Sequence, residues 1–319
     1  MIIRTIAGML SPEGRNGLLS ILIFHRVLAK RDPVLDWDLD AGEFEERLRW
    51  LRSWFNILPL DEAVTRLAQQ SLPARAAAIT FDDGYADNFT VALPILQRLG
   101  VSATFFIATG YLDGGRMWND TISHSVRYCD KARLDLSEIG LGVHELGSPE
   151  AIRRAIGSVV AGLKYRPPEQ RSAAADYVAR VASCRLPDDL MMRSEDLRAM
   201  RRAGMVIGAH TVTHPILAKV DADVARQEVL DSKLYLEGLL QERVGFFAYP
   251  NGKPAVDFRV EDVQAVRALG FDAAVTTGWG AADAGSDRMQ LPRFTPWDRT
   301  RLRFGARMLG NMFSHARQG

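Results

Sequence analysis

Two acidic residues, Asp82 and Asp83, stand next to each other directly after an apolar segment that ends at Phe81. Such a segment is typical of a buried strand, and ligands bind at the carboxyl ends of parallel strands. Adjacent carboxylates repel each other, so their joint burial is costly unless a cation compensates them. Gly84 permits a tight turn at this point. The pair therefore indicates a metal site, and the alternative is that it caps a helix beginning near Asn88.

Two histidines, His210 and His214, follow a second apolar segment at 205–209. Histidines four residues apart can point the same way if the chain makes one helical turn, and neutral imidazole is a good ligand for zinc and similar ions. The alternative is a pair of surface histidines without a ligand. Two histidines and one carboxylate would be three protein ligands, which leaves positions for water and substrate. The remaining aspartate could then act as a general base.

Short apolar segments alternate with amphipathic ones along most of the chain, which predicts a parallel sheet with helices packed against it. The predicted strands are 19–27, 76–81, 103–108, 205–209, 245–249 and 273–276. The predicted helices are 43–54, 61–69, 88–99, 194–202, 223–240 and 260–269. The stretch from about 113 to 190 shows helical patterns without a clear strand and predicts a helical insertion. A helical tail is predicted at about 299–319, and the whole chain is interpreted as a single domain.

Composition excludes several function classes. A formal net charge of +1 argues against nucleic acid as a partner, since such proteins usually carry a clearly basic surface. Two cysteines, Cys129 and Cys184, form no disulfide framework. We find no signal-peptide core near the start and no apolar run of the length that spans a bilayer. These features predict a cytoplasmic protein without a transmembrane segment, with attachment at the inner membrane surface as the alternative.

The segments 80–85 and 210–214 resemble the first two motifs of the polysaccharide deacetylase family, the carbohydrate esterases with a NodB-like domain. The resemblance extends over about 19–294 outside the insertion. It implies an α/β fold, a distorted (β/α) barrel with an incomplete number of strands. It also implies that Asp82 is the catalytic base and that Asp83, His210 and His214 bind a divalent metal, with zinc favoured. The implied reaction removes acetyl groups from N-acetylated sugars.

Two positions depart from the family pattern. The segment 247–252 is similar to the third motif, but Ala248 occupies the place of an arginine that normally orients the base. Its Tyr249-Pro250-Asn251-Gly252 form occurs in a branch associated with exopolysaccharide and surface-polysaccharide synthesis. The late motif normally supplies a histidine as general acid, and here Arg293 stands on the matching strand. Arg293 cannot donate a proton at neutral pH, but it could stabilise negative charge or help to hold Asp82.

His25 is the candidate for the missing general acid. The segment 23–27 resembles an early strand of the poly-N-acetylglucosamine deacetylase branch, where a histidine takes the acid's place. The alternative is a core histidine that is hydrogen-bonded to backbone. A tryptophan beside polar groups could stack on a sugar or belong to the core. The residues predicted to contact substrate are Tyr85, Trp118, Tyr249, Pro250, Asn251 and Arg293.

These features together predict a metal-dependent hydrolase that removes N-acetyl groups from a sugar or polysaccharide precursor. The expected partner is an N-acetylated glycan or a lipid-linked sugar. Two alternatives remain open: a metal-dependent hydrolase of small cyclic or linear amides, and a non-catalytic relative that only binds glycans. A retained base at Asp82 argues against the second alternative, because a binding protein has no need of one.

Overall fold

A curved parallel sheet forms the centre of the molecule in a computed structural model that describes residues 2–295 and 297–314. Long apolar runs form its strands because both faces of the sheet are covered. The strands are β1 (Leu19–Phe24), β2 (Val27–Leu28), β3 (Leu39–Asp40), β4 (Asn56–Ile57), β5 (Ala76–Phe81), β6 (Thr104–Ile107), β7 (Arg133–Asp135), β8 (Val143–Glu145), β9 (Val206–Ala209), β10 (Phe246–Ala248) and β11 (Ala273–Val275).

The strand order in the main sheet is β1-β5-β6-β9-β10-β11, and β4 pairs with the start of β5 on the edge opposite β1. All of these pairs are parallel. A segment after β11 connects the two edges of the sheet, since Leu291 pairs with Val275 and Phe294 pairs with Leu22. The predicted distorted (β/α) barrel is therefore confirmed. Because the strands are parallel, the residues that follow β1, β5, β9 and β10 lie at the same end of the barrel.

Helices cover the outside of the sheet. They are α1 (Ile2–Leu10), α2 (Ala41–Trp54), α3 (Leu60–Ala68), α4 (Leu93–Leu99), α5 (Trp118–Arg127), α6 (Pro149–Leu163), α7 (Pro168–Ala182), α8 (Ser194–Arg202), α9 (Ala222–Leu240), α10 (Val260–Ala268) and α11 (Arg301–Phe313). A π-helical turn at Asn88–Ala92 precedes α4. Alternate side chains of the strands enter different clusters: Leu22 and Ile79 pack in one, Ile21 and Ala78 in another.

The insertion lies between β6 and β9 and has its own hydrophobic cluster, which contains Ile122, Val159 and Val178 from its three helices. The prediction that it contains no strand is wrong, because β7 and β8 form an antiparallel hairpin there. Each of these strands has three residues, most of them solvent-accessible, so neither shows an apolar run. The helix α1 was not among the predicted elements. The predicted tail contains α11, and its last five residues lie outside the described ones.

Among the helices within the described ranges, none is long and apolar enough to cross a membrane.

Candidate active site

The chain turns sharply directly after β5, where the two aspartates stand. Asp83 has a φ of 77° and Gly84 has a φ of 92°. A left-handed conformation is uncommon for a residue other than glycine, and such residues concentrate at functional sites. The N–H of Asp82 donates to the carbonyl of Phe24 at the end of β1, at 3.0 Å. Both carboxylates are buried, with 3% exposure for Asp82 and 7% for Asp83.

The two histidines turn toward the same carboxylate. Left-handed residues at Thr211 and His214 bend the chain after β9, and the two imidazole centroids lie 4.7 Å apart. His210 Nδ1 lies 2.7 Å from the carbonyl oxygen of Ala248. A carbonyl only accepts, so Nδ1 carries the proton and Nε2 keeps its lone pair. The Nε2 atoms of His210 and His214 each lie 3.5 Å from Oδ1 of Asp83.

Asp83, His210 and His214 fit a divalent cation. Their ligand atoms all lie within 4.8 Å of one another. Two ligands bound to zinc at 2.0–2.1 Å in tetrahedral geometry are about 3.3 Å apart, close to the two 3.5 Å separations. Burial lowers the pKa of His214 to about 4, so this imidazole is neutral, as a ligand must be. Although burial opposes it, the charge of Asp82 raises the pKa of His210. The raised pKa means that the His210 imidazole tends to take up a second proton, whose positive charge balances the two carboxylates. A bound cation would provide this positive charge instead.

Arg293 holds the other aspartate. Its Nη1 and Nη2 donate to the two carboxylate oxygens of Asp82 at 2.7 and 2.8 Å. Nη1 also donates to Thr80 Oγ1, and Nε donates to the carbonyl of Thr276, both at 3.0 Å. Burial raises the pKa of Asp82, but the Arg293 guanidinium, together with His210, keeps that pKa below its usual value. Asp82 is therefore an oriented, ionised carboxylate beside the candidate metal site.

This geometry explains the departure at position 248. Ala248 is fully buried, and its carbonyl accepts the hydrogen bond from His210. The arginine that is missing there is replaced by Arg293, from the segment that connects β11 with β1. Arg293 was expected either to stabilise negative charge or to hold Asp82, and the structure supports the second role. A direct contact between Arg293 and substrate does not suit its position, because the side chain is 1% exposed inside the barrel.

A cavity of about 600 Å³ opens beside this centre. His25, Asp83 and Tyr85 line it together. The strand β1 ends at Phe24, so His25 follows it at the same end of the barrel as the aspartates, and its side chain is exposed. The predicted general acid thus faces the cavity that contains a metal-ligand candidate.

A family comparison identifies the chain. The model of the polysaccharide deacetylase family matches residues 69–274, which is more than half of the sequence. The chain belongs to the polysaccharide deacetylase family. It is 23% identical over 282 residues to the provisionally named polysaccharide deacetylase YxkH of Bacillus subtilis (strain 168), covering 87% of this chain and 72% of that protein. A poly-beta-1,6-N-acetyl-D-glucosamine N-deacetylase of Staphylococcus epidermidis is 27% identical over 135 residues, which are 38% of this chain and 44% of the relative.

Solved structures share the fold of this polysaccharide deacetylase. The Streptococcus pyogenes deacetylase PplD, in complex with acetate, superimposes with a TM-score of 0.60 at 21% identity, covering 92% of this chain and 98% of that one. IcaB from Ammonifex degensii also gives a TM-score of 0.60, at 18% identity, with 94% and 98% covered. At these identities the likeness establishes the fold alone.

The insertion brings a residue to the site that the sequence analysis did not select. The carboxylate of Asp120, on α5, accepts hydrogen bonds from the Tyr85 hydroxyl at 3.1 and 3.2 Å. The Arg26 guanidinium stacks on the Tyr85 ring at 4.8 Å and forms an ion pair with Asp87 at 2.8 Å. Asp120 itself is 8% exposed and lines the cavity. Its position beside Trp118 was the only signal in the sequence, and tertiary packing was needed to place it near Asp83.

The buried carboxyl group of Asp120 makes the stability of the protein depend on pH. Burial raises the pKa of Asp120 to about 7, although Arg26 opposes the shift. The folded protein therefore holds this proton more tightly than the unfolded chain, and the resulting stability is lost as the pH rises from about 4 toward 7. We expect Asp120→Asn to gain in melting temperature relative to the wild type between about pH 5 and pH 8. The exposed Asp130→Asn is the control, and a pH-independent difference for Asp120→Asn would contradict the assignment.

Four other predicted substrate contacts do not line the cavity. Tyr249 is fully buried, stacks on Phe258 at 4.0 Å and donates its hydroxyl to the carbonyl of Met289, so its side chain lies in the core and not at the cavity. Trp118 packs against the core of the insertion and carries the Arg171 guanidinium on its ring. The remaining two, Pro250 and Asn251, lie in the turn after β10. Of the six predicted contacts, only Tyr85 lines the cavity.

Other tryptophans line the cavity instead. Trp37 is 53% exposed and Trp297 is 59% exposed, and both belong to its wall. Trp37 lies in the loop between β2 and β3, and Trp297 follows the segment that connects the sheet edges. Exposed indole rings provide flat apolar surfaces with a polar edge, which suits the faces of sugar rings. Nothing in the local sequence distinguishes these two tryptophans from core residues.

Proposed function

We propose that this protein is a metal-dependent N-deacetylase acting on an N-acetylated sugar or polysaccharide precursor. One observation carries the proposal: the Asp83, His210 and His214 cluster lies beside an aspartate that Arg293 holds in ionised form. If the ion pair of Arg293 and Asp82 only stabilised the fold, three metal-ligand candidates would not be needed beside it. The membership of the chain in the polysaccharide deacetylase family supports the same reaction.

Asp83, His210 and His214 would hold the metal, for which we favour zinc. Each offers one ligand atom, and three protein ligands leave room for other groups. When bound, a divalent ion supplies Lewis-acid polarisation of a carbonyl and lowers the pKa of a water molecule. The carbonyl of Ala248 keeps His210 Nε2 available for this role by fixing the proton on Nδ1.

Asp82 is the proposed general base. It accepts a proton from the water that attacks the acetyl carbonyl, and the paired hydrogen bonds from Arg293 fix the direction of its lone pairs. His25, which lines the cavity, is the proposed general acid, which donates a proton to the departing sugar nitrogen. The backbone amide near Tyr85 would donate a hydrogen bond to the oxygen on which negative charge develops. The products are acetate and an amino sugar.

The proposed substrate is a glycan bound in the cavity between the barrel and the insertion. Trp37 and Trp297 would stack on sugar rings, while Asp120 and the neighbouring Asn119 would accept and donate hydrogen bonds to hydroxyl groups. The staphylococcal relative is named for the deacetylation of poly-beta-1,6-N-acetyl-D-glucosamine, which makes oligomers of N-acetylglucosamine the first substrates to test.

The deciding experiment measures acetate release from N-acetylglucosamine oligomers by protein that has been stripped with a chelator and reloaded with zinc. We expect turnover that disappears with the chelator and returns with the metal. Ring opening of a small cyclic amide without acetate release would favour the amide hydrolase instead. Glycan binding without any turnover by the reloaded protein would favour a non-catalytic relative.

A further inference from the structure

Two terminal helices carry apolar side chains that the fold does not use. In α1, Ile2 is 76% exposed and Met9 is 70% exposed; in α11, Leu302 is 75% exposed and Phe313 is 66% exposed. Ile2 and Met9 are seven residues apart and Leu302 and Phe313 are eleven apart, so each pair lies on one face of its helix. These four side chains are called the outer row below.

Other residues of the same helices already provide the contacts with the core. Ala7 of α1 and Phe304, Met308 and Met312 of α11 are buried in the main hydrophobic cluster. Gly305 allows the two helices to pack closely, because a Cβ at that position would collide with Ile3. A helix that is apolar on its inner and outer faces is normally buried on both. The outer row is nevertheless exposed, which indicates a second apolar environment.

The charge on both helices has one sign. Between them, α1 and α11 contain Arg4, Arg301, Arg303 and Arg307, and they contain no aspartate or glutamate. Neither Arg4 nor Arg303 takes part in the ion pairs found among residues 2–295 and 297–314. Arg301 and Arg303 flank Leu302 on the two sides of its helix face. Apolar side chains bordered by arginines suit a bilayer surface that contains anionic lipids.

A comparison with α9 shows that exposure alone does not make such a surface. Leu234 and Tyr235 of α9 are 55% and 43% exposed. The same helix, however, contains Asp223, Glu228, Asp231 and Glu237. These carboxylates would be repelled by anionic headgroups, and α9 therefore lacks the charge pattern of α1 and α11.

We infer that the outer row and its arginines form a docking surface for an anionic membrane. A second copy of this chain is the less favourable occupant, because a symmetric contact through this surface would bring like-charged arginines together. The docking surface also lies next to the cavity along the chain. Trp297 and Arg299 line the cavity, and α11 begins two residues later at Arg301. Docking would hold the cavity mouth near acetylated glycans that are attached to the lipid surface.

The test is co-sedimentation of the full chain with vesicles of phosphatidylcholine alone or of phosphatidylcholine mixed with phosphatidylglycerol. We expect binding to the mixed vesicles that weakens as the salt concentration rises. The double variant Met9→Glu/Leu302→Glu should lose at least about tenfold in affinity, since it removes apolar contacts and adds repelled charge. Arg4→Gln/Arg303→Gln should also lose about tenfold or more. Leu234→Glu on α9 is the matched control and should bind like the wild type.

Several outcomes would overturn this inference. They are absence of vesicle binding, equal binding to both vesicle types, or equal binding by the wild type and both double variants. Light scattering without lipid provides a further check: a dimer that Met9→Glu/Leu302→Glu dissociates would assign the outer row to a second copy. Circular dichroism shows whether the variants fold. Because vesicle binding is measured without a substrate, its failure would leave the deacetylase proposal unaffected, and a lack of acetate release would leave this one unaffected.

Discussion

Replacement of Asp83 by alanine is expected to abolish metal binding and to lower acetate release by roughly a thousandfold or more. The carboxylate of Asp83 lies 3.5 Å from both His210 Nε2 and His214 Nε2. Burial by itself raises the pKa of Asp83, but the neighbouring imidazoles of His210 and His214 keep it well below its usual value. Without that carboxylate, two neutral imidazoles are a poor site for a divalent ion.

Metal content measured by elemental analysis checks this expectation directly. A second measurement is the melting temperature with and without a chelator, since a ligand that binds only the folded state raises it. The wild type should show a chelator-dependent shift that Asp83→Ala lacks. Asp135→Ala, which removes an exposed carboxylate from β7, is the control and should retain the metal. An Asp83→Ala protein with one bound metal per chain would show that the ligand assignment is wrong.

Replacement of Arg293 by methionine is expected to lower kcat by about a hundredfold and to destabilise the fold by about 3–5 kcal/mol. Methionine is apolar and fits a buried position, but it leaves the Asp82 carboxylate uncompensated inside the barrel. The pKa of Asp82 must then rise, because burial remains while the guanidinium that lowered it is gone. A base with a raised pKa stays protonated up to a higher pH. The acid limb of the kcat/KM profile should therefore move to higher pH, with partial recovery of activity in alkaline buffer.

A surface pair provides the matched control for this variant. Arg243 also donates from both terminal nitrogens to one aspartate, Asp272, but both side chains are about half exposed. Arg243→Met should cost about 1 kcal/mol or less and should not move the pH profile. The prediction for Arg293 fails if its methionine variant keeps the wild-type acid limb. In that case Arg293 would only stabilise the fold, and Asp82 would be oriented by something else.

Much of the fold and part of the site followed from local patterns. Six apolar runs became strands of the main sheet because a buried parallel strand must be apolar on both faces. The two motifs after β5 and β9 were identified because carboxylates and histidines at the ends of parallel strands are typical of ligand and metal sites. Their convergence also follows from the parallel sheet, since strand ends with the same direction share one side of the barrel. The structure places Asp83, His210 and His214 together as the sequence predicted.

Local patterns misjudged residues whose role depends on packing. Tyr249 stands in a motif and looks like a substrate contact, yet its ring stacks on Phe258 in the core. The hairpin of β7 and β8 has too few apolar residues to be visible, because most of its side chains face solvent. Conversely, Trp37 became a candidate sugar contact only once the cavity was formed.

The sequence by itself determined the six long strands of the central sheet, the helices between them and the three metal-ligand candidates, because each depends on residue type and on spacing within one or two elements. Tertiary structure decided which of the two roles open to Arg293 its position supports, and which residues form the cavity wall beside the site. Arg293 is 211 residues from Asp82 along the chain, and Asp120 reaches Tyr85 across a separation of 35 residues. Such pairs form only when the barrel edges meet and the insertion folds onto the barrel, and no local pattern contains that information.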